Sequence, residues 1–175
     1  VLNRKFHADQ LNEKWVTDVS EFKYGTGEDE RKGKIYLSVI LDLCDRRPVA
    51  YIYGDHNDNP LVFTTFDKAL ESAPGATPIF HSDRGYQYTS KAFYEKLQTA
   101  KMRQSMSRVG RCIDNGPMES FWGMLKSEMY YLRRFTDRDE LIHAIENYIY
   151  FYNHARFQKR LHCMTPMEFH YAYAA

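Results

Sequence analysis

At 175 residues and 20.8 kDa the chain suffices for one domain and hardly for two, and its 43% hydrophobic and 27% charged residues exclude intrinsic disorder. No apolar run approaches the roughly 20 residues that cross a bilayer, and Val1-Leu2-Asn3-Arg4-Lys5 opens no signal peptide, so membrane and secreted readings are set aside. The net charge of +1 divides unevenly: residues 1–83 carry 10 Lys and Arg against 14 Asp and Glu, and residues 84–175 carry 14 against 9, which suggests a polyanionic partner for the second half.

Residues 1–13 are polar without a period and read as a tether; because Val1 is not an initiator Met, a longer parent chain is expected. Trp15 to Phe22 alternates apolar and polar, as a half-buried strand does. Tyr24 to Gly33, with the acidic run Glu28-Asp29-Glu30, reads as a turn or hairpin loop. Ile35 to Leu43 is almost wholly apolar, as a strand buried on both faces would be, and Arg46-Arg47-Pro48 turns into a third strand over Val49 to Tyr53.

Helical spacing follows over Asn59 to Ser72, with Asn59 as the expected cap and Pro60 at the first helical position. Pro78 to Ser82 reads as a short strand, Ser90 to Thr99 as a helix capped by Ser90 or Thr89, and Met102 to Met106 as the last strand. After a loop from Ser107 to Gly116 come helices from about Asn115 to Leu132, capped at Asp114-Asn115, and from about Asp137 to His154. Three hairpin strands followed by β-α-β-α-α predict one α/β domain: a mixed five-stranded sheet with helices on both faces. Cys44, Cys112 and Cys163 form no CxxC pair, which argues against a disulfide framework or thiolate zinc site and fits a reducing compartment.

Three carboxylates stand out by position. Asp18 falls mid-strand, where Asp is depleted. Asp83 sits just past a strand end, and Glu119 in the first turns of a helix after a flexible loop; such places host sites in open α/β sheets. Two acids from adjacent strands and one from a facing helix suit a hard divalent cation, which takes oxygen ligands. The ordinary alternatives are an edge-strand solubiliser, a turn aspartate and a helix-dipole glutamate.

Thirty-five residues lie between Asp83 and Glu119, within Trp15-Val16-Thr17-Asp18-Val19-Ser20, His81-Ser82-Asp83-Arg84-Gly85-Tyr86-Gln87-Tyr88 and Cys112-Ile113-Asp114-Asn115-Gly116-Pro117-Met118-Glu119-Ser120-Phe121-Trp122. Downstream stand Leu125-Lys126-Ser127-Glu128, Tyr152-Asn153-His154-Ala155-Arg156 and Thr165-Pro166-Met167-Glu168-Phe169. Over residues 12–170 the chain resembles the integrase core of bacterial insertion-sequence transposases of the frameshifted two-frame type, relatives of retroviral integrases. The resemblance implies a ribonuclease H-like fold over 14–175, with 1–13 leading from an upstream DNA-binding region. It implies Asp18, Asp83 and Glu119 as catalytic ligands of two Mg²⁺ or Mn²⁺ ions, DNA as substrate, a homo-oligomer in the active complex, and a cytoplasmic setting. Lys126, two helical turns after Glu119 on the same face, is the first expected DNA contact. Arg84, Arg108 and Arg111 flank the site and are further candidates for phosphate.

Two other functions stay open on sequence alone: a ribonuclease H-type nuclease acting on hybrids, and an inactivated core serving as a DNA-binding or oligomerising module. His81 reads as structural, and Met118, Phe121, Trp122, Leu125 and Met129 fall at core spacing, with Trp122 at the border. The aromatic helix over 137–154, with Tyr148, Tyr150, Phe151 and Tyr152, reads as core or dimer surface, with one face expected in the core.

Overall fold

The alternating first segment and the apolar second one form β1 (Lys14–Tyr24) and β2 (Gly33–Asp42), paired antiparallel with Asp18 opposite Val39. This computed structural model describes residues 2, 5–25, 33–108 and 112–174. β3 (Pro48–Gly54) adds to β2 as an edge strand beginning at Pro48, a place where the missing N–H is tolerated. β4 (Ile79–Ser82) and β5 (Arg103–Met106) join on the other side of β1, both parallel, giving the order β3-β2-β1-β4-β5. The expected mixed sheet is therefore present.

The side-chain alternation of β1 and β2 builds a core on each face. Val16, Phe22, Ile35, Leu37, Val39 and Leu41 pack under α4 (Gly116–Glu128) and α5 (Arg138–His154). Trp15 and Ile40 face the other way, onto α1 (Asn59–Ser72) and α3 (Lys91–Thr99), among the rings of Phe66, Phe80 and Phe93. β2 is buried on both faces, as its unbroken apolar run required. On α5, Tyr148 and Tyr152 are buried and Tyr150 and Phe151 are exposed, so one aromatic face enters the core.

Several boundaries differ from expectation. The α1 cap is Asp58, not Asn59: its carboxylate accepts from Leu61 N at 3.0 Å, and Asn59 already lies in the helix. Ser90 caps α3 as expected. α4 ends at Glu128, and Tyr130–Leu132 forms a separate 3-10 turn, because the Tyr130 hydroxyl bonds the backbone of Lys23 and draws the chain back to β1. Neither Asp114 nor Asn115 caps α4 through its side chain, since both carry other bonds. Two helices were absent from the sequence reading: α2 (Tyr86–Thr89), too short to show a period, and α6 (Pro166–Ala174), opened by the Thr165 and Glu168 capping pair. The segment read as a tether is docked where it is described. Leu2 and Ala8 are buried, and the Arg46 guanidinium donates to Phe6 O at 2.9 Å. The loop containing Glu28-Asp29-Glu30 lies outside the described residues. Among the described residues no helix is long and apolar enough to cross a membrane.

Asp58 caps α1 on the sheet face away from α4. Asp58→Ala should lower stability by about 1 kcal/mol, read as a melting temperature lower by about 2–4 °C. An unchanged melting temperature would show that the cap contributes nothing.

Candidate active site

Parallel pairing of β1 with β4 sets Lys14, Trp15 and Val16 against Ile79, Phe80 and His81. Asp18 and Asp83 each lie two residues beyond the last of these pairs, so the register brings them side by side at one end of the sheet. Asp18 is held on two sides. The indole Nε1–H of Trp122 donates to Asp18 Oδ2 at 2.9 Å, and the backbone of Val19 also bonds its carboxylate. Burial, with a smaller contribution from the Asp83 charge, pushes Asp18 up to about 6 despite those bonds and the opposing charge of Lys126.

Asp83 begins a tight turn in which its Oδ1 accepts from Gly85 N at 2.8 Å. A Cβ at residue 85 would come within 2.9 Å of Gln87 Oε1 and 3.1 Å of Asp83 Oδ1, so any larger residue there would press on the Asp83 carboxylate. Beneath it the Tyr88 hydroxyl lies 3.2 Å from Thr17 Oγ1, tying α2 to the strand that carries Asp18.

The segment leading into α4 is clamped to the sheet at several points. Ser107 N donates to Ser82 O, buried His81 bonds Ser105 Oγ and Asp114 O, and Asn115 Nδ2 donates to Thr17 O at 3.0 Å. His81 is thus structural, as expected. Met118, Phe121, Trp122 and Leu125 bury one face of α4, where Phe22 meets Trp122 edge to face at 6.2 Å. Glu119, one turn before Trp122, is exposed and makes no hydrogen bond or ion pair among the described residues.

The structure therefore joins Asp18 and Asp83 and leaves Glu119 outside. Among the described residues no group of three His, Cys, Asp or Glu side chains is close enough to hold a metal, contrary to the expected convergence of all three acids. Like charges repel, and among the described residues Glu119 has no ion-pair partner. The donor set is nevertheless all oxygen, two of its members adjoin, and the third sits on the helix whose Trp122 is fixed to Asp18. These residues suit a hard divalent cation.

The proposed DNA contacts differ in their freedom. Lys126 is half-buried, with Nζ 5.4 Å from the Phe22 ring centre, and its charge is felt at Asp18. Arg84 is exposed and donates from Nε to Ser107 O at 3.0 Å. The Arg108 guanidinium is engaged by Asp114 through Nε at 2.8 Å and a terminal nitrogen at 3.0 Å, bracing the loop. Arg111 lies outside the described residues. Sequence reasoning missed the Trp122 and Asn115 bonds. The one available signal was that a buried indole N–H seeks a partner.

Because burial raises Asp18, its charged form weakens the folded state above about pH 6 and not below about pH 4. In metal-free buffer Asp18→Asn should stabilise the protein at pH 7.5 by up to about 3 kcal/mol, and the gain should vanish near pH 4. Urea unfolding at the two pH values measures this. An equal effect at both would contradict the raised Asp18.

The family model described as an integrase core domain matches residues 8–112, and a second of that description matches residues 119–172. A transposase-like protein of Haemophilus influenzae is 40% identical over 169 residues, which are 97% of this chain and 76% of that protein. A putative transposase for the insertion sequence element IS150 of Escherichia coli is 38% identical over 170 residues, 97% of this chain and 58% of that protein. An uncharacterised 31 kDa protein of insertion element IS600 from Shigella sonnei is 38% identical over 175 residues, 99% and 62% respectively. The chain thus spans less than two thirds of the latter two relatives. Among solved structures, the HTLV-2 integrase catalytic core in complex with magnesium, in its trimeric form, superposes with a TM-score of 0.72 at 19% identity, covering 94% of this chain and 99% of that one. A chain of the simian T-cell lymphotropic virus intasome gives a TM-score of 0.76 at 19% identity, with 94% and 56% covered. At that identity the likeness establishes a shared ribonuclease H-like fold.

Proposed function

The chain belongs to the integrase core family, and on that footing we propose that it is the catalytic core of an insertion-sequence DNA transposase, cutting and joining phosphodiester bonds. The observation that carries the reading is the juxtaposition of Asp18 and Asp83 across β1 and β4, with Glu119 on the helix tied to Asp18 through Trp122.

In this reading Asp18, Asp83 and Glu119 hold Mg²⁺ or Mn²⁺. The ions, two once DNA is bound, supply activation of the attacking oxygen and neutralisation of the leaving one. The protein's own part is placement. Burial and the Trp122 bond fix the direction in which the Asp18 carboxylate points, and the Gly85 turn does the same for Asp83. Glu119 completes the set by a movement of an exposed side chain, without repacking the core. Lys126 and Arg84 border the acids and serve as contacts to the phosphate backbone, which position DNA without reading its sequence. Arg108 acts through the loop it braces. Joining two element ends to a target needs more than one core, so a homo-oligomer is the proposed working form.

The test uses branched DNA with Mn²⁺ and a parallel RNA–DNA hybrid. Strand cutting and joining on DNA supports the transposase reading, and cutting confined to the hybrid favours the nuclease. Glu119→Gln should lower DNA cutting by about a hundredfold or more, the scale for losing one group that steadies the reacting charges, while leaving DNA affinity intact. Lys126→Ala should instead weaken binding across sequences and flatten the dependence of log K on log salt by about 0.9. Mg²⁺ or Mn²⁺ at a hundredfold excess over Kd should stabilise the protein by about 2.7 kcal/mol, and Asp83→Asn should abolish that gain. An undiminished metal response in Asp83→Asn would place the ion elsewhere.

A further inference from the structure

Behind α4 lies a cavity of about 360 Å³, between the end of β2, the flank of α4 and the segment that follows α5. Its charged lining is entirely cationic: Arg46, Arg156, Lys159 and Arg160, with no carboxylate among the described lining residues. Arg156 is already held by Glu128, through Nε at 2.8 Å and a terminal nitrogen at 2.6 Å. Arg46 has no such partner. It is 5% exposed, and its guanidinium donates only to the carbonyl of Phe6 among the described residues. Asp42, the acid whose charge reaches it, is engaged by the backbone N–H groups of Asn12 and Cys44. Burial, and after it the like charge of Arg160, push Arg46 down to about 10.

A neutral donor faces the same problem. Gln158 is 7% exposed, lines the cavity, and its Nε2 makes no hydrogen bond of normal geometry, reaching only toward the Tyr152 hydroxyl. A buried donor poorly satisfied is costly, and so is a buried cation with a like charge beside it and no carboxylate against it. Both costs are relieved by a single ligand: an oxyanion that accepts from the amide and from the guanidinium groups. The cavity wall includes Ser120, the residue after Glu119, so the ligand would lie around the same helix from the acids.

We propose that this cavity is an oxyanion site that seats a backbone phosphate of bound DNA, gripped by Arg46, Arg160 and the Gln158 amide. The choice of DNA rests on the transposase reading, whose substrate passes the adjoining face of α4. A phosphate seated here would fix the rotation of α4 relative to the duplex, away from the reacting atoms.

The test has two arms, both run without Mn²⁺ so that neither depends on whether the chain cuts DNA. In the first, inorganic phosphate is titrated calorimetrically at fixed ionic strength into the wild-type chain, Arg160→Gln and Gln158→Leu. Arg160 is exposed, so its replacement leaves the fold intact. Saturable binding by the wild type, weakened at least tenfold in both variants, is expected. In the second, duplex affinity is measured at several salt concentrations, and Arg160→Gln should flatten the salt dependence by about 0.9. Phosphate that does not bind, or binds all three proteins alike, overturns the site. Phosphate binding with an unchanged duplex salt slope overturns DNA as the ligand and leaves a free anion in its place.

Discussion

The parallel pairing of β1 with β4 is the constraint on which the rest of the site depends. It joins two segments distant in sequence and fixes which of their side chains stand together. A slip of one residue would turn Asp18 to the opposite face, under α1 and α3. The register is enforced by burial. Trp15 and Phe80 are fully enclosed on one face and Val16 on the other, and a one-residue slip would turn each to the wrong face. The acids are neighbours because the apolar residues before them have nowhere else to go.

Such a pair is electrostatically unfavourable, and the surrounding bonds show how the fold tolerates it. Asp18 keeps a hydrogen bond from an indole and one from the backbone, which favour its charged form without neutralising it. Asp83 is oriented by its own turn. Lys126 stands near enough to moderate Asp18, yet it rests over the Phe22 ring and forms no ion pair with the acids among the described residues. The protein holds the pair in place, and in the proposed function its charge is kept for an external cation. A salt bridge there would have stabilised the fold and blocked the site.

Much of this was legible in the sequence. Alternation in Trp15 to Phe22 and the apolar run of Ile35 to Leu43 gave the strands and their burial, because a period of two reports directly on a sheet with two covered faces. The positions of Asp18 and Asp83 at strand and strand end were visible for the same reason. Contacts between remote segments were not. The bond from Trp122 to Asp18 spans 104 residues and that from Asn115 to Thr17 spans 98, and neither leaves a local pattern. The same limit hid the end of α4, which is set by Tyr130 bonding Lys23, and the docking of Phe6 on Arg46. Conversely, the place of Glu119 on the first turn of α4 was correct, while its separation from the other acids was not legible.

Helix α4 connects the two sites. Its buried stripe of Met118, Phe121, Trp122 and Leu125 is fixed to β1, so the helix cannot roll without breaking the bond to Asp18. Glu119 projects on one side of that stripe, while Ser120 and Met124 line the cationic cavity on another. Any ligand that binds in the cavity therefore acts on a rigid body that also carries Glu119. Arg46 extends the connection, since its carbonyl accepts from the buried Tyr152 hydroxyl of α5 and its guanidinium holds the N-terminal segment at Phe6. Burying an arginine without a carboxylate is a poor way to stabilise a fold, because a well-packed apolar side chain would serve as well or better. Its place beside Arg160 and a weakly satisfied amide fits the proposed provision for a charge that arrives from outside, on the side of α4 away from the acid pair.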